Sequence, residues 1–181
     1  MNVTFHTLTA LATAAVLSST KAGRPRRESS APSPMPGLAV GFVAGILVHG
    51  LLDFVPHSYP IKSIPDVVLS LALFVAALAF AKPQYRLLIA SCFLGSILPD
   101  LVDLAPAIMN KRLGCSLPVI KIFPWHWHQY SGSIYNGNRV WASVSYHVVV
   151  VSLSASLLYA YRKSLFGQGT DRIPSVDRID S

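Results

Sequence analysis

Charge is scarce in this chain. Only 13% of its 181 residues are Asp, Glu, Lys or Arg, against about 25% in a typical soluble domain. Cysteine is scarcer still: two residues exclude a disulfide scaffold. Cys92 lies in an apolar run and Cys115 in a loop, which gives them no reason to pair. Several catalytic signatures are also missing, namely a Gly-rich phosphate loop, His-Glu-x-x-His, Gly-x-Ser-x-Gly and Cys-x-x-Cys. What remains is apolar: hydrophobic residues make up 52% of the chain and its mean hydropathy is +0.48. The formal charge of +7 does not indicate a nucleic-acid partner. The basic residues sit in short clusters beside apolar runs, as topology signals do, and form no binding stripe.

Five apolar segments can be drawn, which predicts an all-α, polytopic membrane helix bundle of about five helices. The first, roughly 3–18, is rich in Thr and Ala and barely long enough to span a bilayer. Basic residues follow it (Lys21, Arg24, Arg26, Arg27) and none precede it. That polarity is the reverse of a secretory signal peptide, so a retained helix with its N-terminus outside is expected, cleavage being the alternative. The second segment runs over 37–54, with Gly37, Gly41 and Gly45 at a spacing that lets helices approach closely in lipid. The third spans 66–81, opening at Pro65-Asp66; the fourth, 84–104; the fifth, 140–161. Residues 1–166 thus read as one membrane-embedded helical domain with a mobile loop at 20–36, and residues 167–181 as a disordered polar tail.

The positive-inside rule assigns ten of the fifteen basic residues to the cytoplasmic side and five to the outer loops. All six histidines then fall in the outer half: His6, His49, His57, His126, His128 and His147. Asp53, Asp100 and Asp103 join them there. Ionisable groups at the ends of membrane helices mark functional sites by default. Imidazoles mixed with carboxylates are also the ligand set of a transition-metal site.

His49 and Asp53, four apart, share a helix face and can bind one metal, or the acid can orient the ring. Pro56 ends that helix and turns His57 back toward the same face. Helix capping is the simpler alternative for all three. Asp100 and Asp103 share a face three residues apart, and paired carboxylates need a cation or a shared proton. Pro99 is expected to break or kink the helix just before them; solvation in the headgroup layer is the alternative. In the Phe123–Tyr130 stretch, Trp125, Trp127 and Tyr130 suit an interfacial aromatic belt. If that stretch is extended, only one of His126 and His128 reaches a shared site. His147 and His6 lie within apolar helices, either as ligands or as interhelical hydrogen bonders.

With His6 in the first helix, a Gly95-Ser-Ile-Leu-Pro-Asp100 run followed by Asp103, and His49-x-x-x-Asp53, the chain resembles the membrane-bound metal-dependent hydrolase family of YdjM-like inner-membrane proteins. More distantly it is similar to the zinc-dependent phospholipase C group. Two features depart from the pattern: the His-x-x-x-Asp element comes before the Pro-Asp element, and the loop histidines are separated by a single residue.

The expected function is metal-dependent hydrolysis of a phosphoester or lipid-headgroup linkage at the non-cytoplasmic face of a bacterial inner or plasma membrane. Membrane lipids, or a lipid-linked or phosphoester substrate, are the expected partners. The expected cofactor is a divalent metal, zinc above others. His6, His49, Asp53, His57, Asp100, His126 and His147 are the candidate ligands, and Asp103 and His128 the candidate catalytic or supporting groups. The alternative is a non-catalytic membrane protein, either a small metal- or proton-coupled transporter or a helical scaffold. A transporter, however, should carry its ionisable groups near the bilayer midplane.

Overall fold

The computed structural model describes residues 1–23, 36–134 and 140–167. Most of the loop at 20–36 and nearly all of the tail expected to be disordered lie outside them. The described residues form six helices: α1 (Val3–Ser19), α2 (Pro36–Phe54), α3 (Ser63–Phe80), α4 (Arg86–Asp103), α5 (Ala105–Leu113) and α6 (Val140–Leu165). Single 3₁₀ turns at Pro83–Tyr85 and Pro124–His126 complete the list. Four segments, Gly37–Phe54, Ser63–Phe80, Pro83–Asp103 and Trp141–Leu165, are long and apolar enough to cross a membrane. Their outward faces are greasy, as lipid contact requires: Val68, Leu71 and Val75 of α3 and Val148, Val149 and Leu153 of α6 are exposed.

α1 is too short to count among the spans, and its position explains how it can be so. It is the central helix, packing against α2, α3, α4 and α6. A stripe of small buried residues, Ala10, Ala14 and Ala15, lets these neighbours approach. With Leu11 they join Leu88, Ile89 and Cys92 of α4 and Leu165 of α6 in the core. The free amides at the start of α1 are satisfied from another helix. Asp66, in the first turn of α3, accepts Val3 N–H at 2.8 Å, Thr4 N–H at 2.9 Å and the Thr4 hydroxyl at 2.7 Å. An anion at that position also complements the helix dipole.

α2 and α4 form the tightest pair. A Cβ on Gly45 would overlap the carbonyl oxygen of Cys92, and one on Gly95 would overlap that of Phe42. Of the three glycines spaced along α2, Gly45 is the one that α4 makes indispensable; at Gly41 the neighbours are the adaptable side chains of Leu88 and Cys92. Cys92 is buried here, and both cysteines are free.

Two details refine the expected outline of about five helices. α4 is not broken at Pro99 but continues through it to Asp103. A sixth helix, α5, was not anticipated. It is a nine-residue helix with no buried residue, capped by Gly114 in the left-handed region at φ 66°. Too short and too polar to register as an apolar segment, it still ends as helices commonly do.

Candidate metal centre

The site lies at one end of the bundle and is built around Asp53, which is 4% exposed. The last turns of α2 supply His49 and Asp53. α4 supplies Asp100 and Asp103 across the Gly45–Gly95 contact, α1 supplies His6 from the centre, and the 3₁₀ turn at Pro124–His126 supplies His126. That turn is seated by Trp125, whose ring lies against Gly50 and stacks on Phe123 with centroids 5.1 Å apart. Trp125 is therefore a lid over α2 as much as a membrane anchor.

One donor atom each from His49, Asp53, Asp100 and His126 lies within 4.8 Å of all the others. Five of the six separations are short. Asp53 Oδ2 is 3.2 Å from both His49 Nε2 and His126 Nε2. Asp100 Oδ1 is 3.2 Å from His126 Nε2 and 3.6 Å from His49 Nε2. The two Nε2 atoms are 3.4 Å apart. Nitrogen and oxygen donors arranged tetrahedrally around one zinc ion stand about 3.3 Å from one another. The donor set and these five separations suit one shared divalent ion, with the two carboxylates held within 4.8 Å of each other.

Each ring is held by its other nitrogen. His49 Nδ1 meets the Ser96 carbonyl oxygen of α4, so Nδ1 carries the proton and Nε2 presents its lone pair. His126 Nδ1 donates to Asp103 Oδ2 at 2.9 Å, and this carboxylate–imidazole pair fixes the tautomer and raises ligand basicity. Asp103 also accepts the backbone N–H of Ile122 at 2.8 Å and of Phe123 at 2.9 Å. With both oxygens engaged and the residue 1% exposed, Asp103 is a positioning residue for the loop and for His126. Asp100 and Asp103 thus grip one imidazole from its two nitrogens. Burial works against a charge on that ring, but its hydrogen bonds to Asp100, Asp53 and Asp103 prevail and raise its pKa to about 10.

Asp53 Oδ1 faces a second group. It is 3.3 Å from His6 Nε2 and 3.8 Å from His57 Nε2, and accepts the Met1 ammonium at 2.6 Å. His6 is fully buried, stacks on His49 with centroids 4.0 Å apart, and among the described residues has no hydrogen-bond partner on either ring nitrogen. His57 gives Nδ1–H to the Val55 carbonyl at 2.8 Å, while Nε2 meets the Ser133 hydroxyl at 3.1 Å. Burial, followed by the ammonium charge, lowers its pKa to about 4, so the ring is neutral. Its Nε2 lone pair therefore confronts a carboxylate oxygen with no proton between them.

Comparison with protein-family models, curated proteins and solved structures found no match.

Two of the sequence-expected residues stand apart from the cluster. His147 is buried but stacks on Phe5 of α1 at 4.4 Å, and its Nδ1 lies 3.3 Å from the Ser143 hydroxyl of its own helix, so its interhelical contact is a ring stack and not a hydrogen bond. His128 is exposed, just past the 3₁₀ turn that takes His126 inward. Only one of the loop pair enters, through a tight turn and not through strand alternation. Three supporting groups had no legible signal: the Ser96 carbonyl, which any residue could offer, the Ser133 hydroxyl on His57, and the Trp125 lid.

Proposed function

We propose that this protein is an integral membrane, metal-dependent hydrolase acting on a phosphoester or lipid-headgroup linkage at the non-cytoplasmic face. The observation that carries this reading is the convergence of one donor atom each from His49, Asp53, Asp100 and His126 within 4.8 Å. Two imidazoles and two carboxylates suit zinc. Held by His49, Asp53 and His126, with Asp100 at the mouth and one position left open, such an ion would supply Lewis-acid polarisation of an ester oxygen and acidify a bound water.

The rest falls to the chain's own side chains. His49 and His126 offer lone pairs whose direction Ser96 and Asp103 fix. Asp100 has a side chain 22% exposed against 5% or less for the other three ligands, and so stands at the mouth of the site, where it can hold a proton taken from water or substrate. The pair of oxygens on Asp53 further supports a two-ion arrangement, with Oδ1, His6 and His57 holding a second ion in place of the Met1 ammonium that Oδ1 now accepts. His6, a buried imidazole with no hydrogen bond among the described residues, would become a ligand by it.

The test is metal analysis of gently purified protein alongside hydrolysis of a chromogenic phosphodiester and headgroup release from phospholipid vesicles. Metal at one or two ions per chain, with turnover lost in His49→Ala and Asp100→Ala, supports the reading. Wild-type protein free of metal sinks it. Stoichiometric metal with no turnover of either substrate favours the scaffold.

A further inference from the structure

A cavity of about 540 Å³ opens beside the metal centre, between α2 and α6, with α1 as its floor. No donor of the site is among its lining residues, but its upper end adjoins them along the chain. Val48, Leu52 and Val55 line it from α2, and they are the chain neighbours of His49 and Asp53 and the residue whose carbonyl holds His57. From there it descends to Leu17 of α1 and Leu157 of α6.

Three features identify its occupant. The first is length: the α6 wall runs from Tyr146 to Leu157, about 16 Å at the rise of an α-helix. That is close to one leaflet, half of a hydrocarbon core of about 30 Å. The second is chemistry. The floor carries threonines, but their hydroxyls turn back onto their own helix. Thr9 Oγ1 bonds the Phe5 and His6 carbonyls at 3.0 Å, and Thr13 Oγ1 bonds the Thr9 carbonyl at 2.8 Å. The threonines thus present methyl groups to a wall of Leu and Val. The third is the neighbouring polar end: Val48, Leu52 and Val55 flank His49, Asp53 and His57 along the chain, and those donors would attract an anionic headgroup through a cation held between them.

We propose that this groove seats one hydrocarbon tail of a membrane lipid, so that the lipid's phosphate end meets the Asp53 centre. The headgroup half of this statement rests on the hydrolase reading above; the seating of the tail does not. In a bilayer an apolar groove gains little over surrounding lipid, which is equally apolar. Its contribution is therefore orientation: a tail held along α1 brings the scissile end to a fixed depth and angle. Ala12, in the floor, leaves room for the chain, and Val149, 58% exposed on the α6 wall, can be enlarged without disturbing the core.

The experiment uses the full chain in phosphatidylcholine vesicles doped with phosphatidylglycerol that carries a photoreactive diazirine midway along one acyl chain. After irradiation, labelled peptides are mapped. The expected result is a several-fold excess of label on the groove side of α1 over the lipid-facing Val68, Leu71 and Val75 of α3. That excess should fall to the α3 level in Val149→Trp and, where it folds, Ala12→Phe. Equal labelling of α1 and α3 in the wild type, or α1 labelling unchanged by Val149→Trp, overturns the proposal. Metal content measured on the same samples keeps the two readings separate: a metal-free wild type removes the hydrolase, whereas the labelling pattern alone decides the groove.

Discussion

Asp103 Oδ2 accepts His126 Nδ1–H at 2.9 Å, and through that bond a residue of α4 dictates which nitrogen of a loop histidine faces Asp53. The same carboxylate pins the backbone of Ile122 and Phe123, so a single side chain fixes both the loop and its ligand.

Asp103→Asn keeps the shape but replaces one acceptor oxygen with a donor, which opposes either an N–H of the loop or that of His126. Metal affinity should fall about 10- to 100-fold, as when an outer-shell partner of a ligand histidine is lost. Competition with a chromogenic chelator measures this. An unchanged affinity would mean that His126 needs no orienting partner.

Ion counting separates the two faces of Asp53. Wild-type protein should hold two divalent ions, His6→Ala one, and Asp53→Ala none. His49→Ala should lose the ion shared with Asp100 and His126. Elemental analysis after exhaustive dialysis gives the numbers, and a wild-type count of one would remove the ion assigned to His6 and His57.

The two loop-side histidines have opposite pH signatures in metal-free protein. Burial lowers His57 to about 4, so between its ordinary value of about 6.5 and pH 4 the unfolded chain binds the extra proton, and stability falls as pH falls. His126 is raised to about 10, its carboxylate partners outweighing burial. Its contribution is complete below about pH 6.5 and is lost as pH rises toward 10. Thermal unfolding in detergent with chelator should show the acid-side loss reduced in His57→Gln. Metal must displace the His126 proton, so affinity should rise about tenfold per pH unit across the neutral range; a flat profile would contradict a protonated His126.

Gly45→Ala tests the helix contact that aligns the ligands. The added methyl meets the Cys92 carbonyl and the Ser96 backbone nitrogen, forcing α2 away from α4 at a cost of about 1–3 kcal/mol, as for other overpacked contacts. A lower melting temperature with weakened metal binding is expected, because Asp53 and Asp100 sit on opposite sides of that contact. Gly41→Ala, facing adaptable side chains, should be milder on both measures.

Much of the fold could be read along the chain. A bilayer-length run of apolar residues admits few structures besides a helix, so five of the six helices are visible in composition alone. α5 escaped because nine exposed residues with mixed polarity carry no such pattern. Whether α4 breaks at Pro99 was not legible, because an internal proline admits either a broken or a continuing helix and local preference does not choose between them.

The candidate site divides in the same way. The chain by itself determined which groups were out of place: carboxylates and imidazoles at the ends of greasy helices are costly enough to require a reason. His49 and Asp53, one helical turn apart, and Asp100 and Asp103, nearly so, were legible as pairs because helical spacing is local information. Only the tertiary structure decided which pairs meet. It brought His126 in and left His128 exposed, turned Asp103 toward the loop and Asp100 toward the mouth, and set His6 against Asp53 but His147 against Phe5. Those choices follow from close helix approach at Gly45 and Gly95 and from a 3₁₀ turn seated by Trp125, and contacts between segments far apart in the chain leave no periodicity to read.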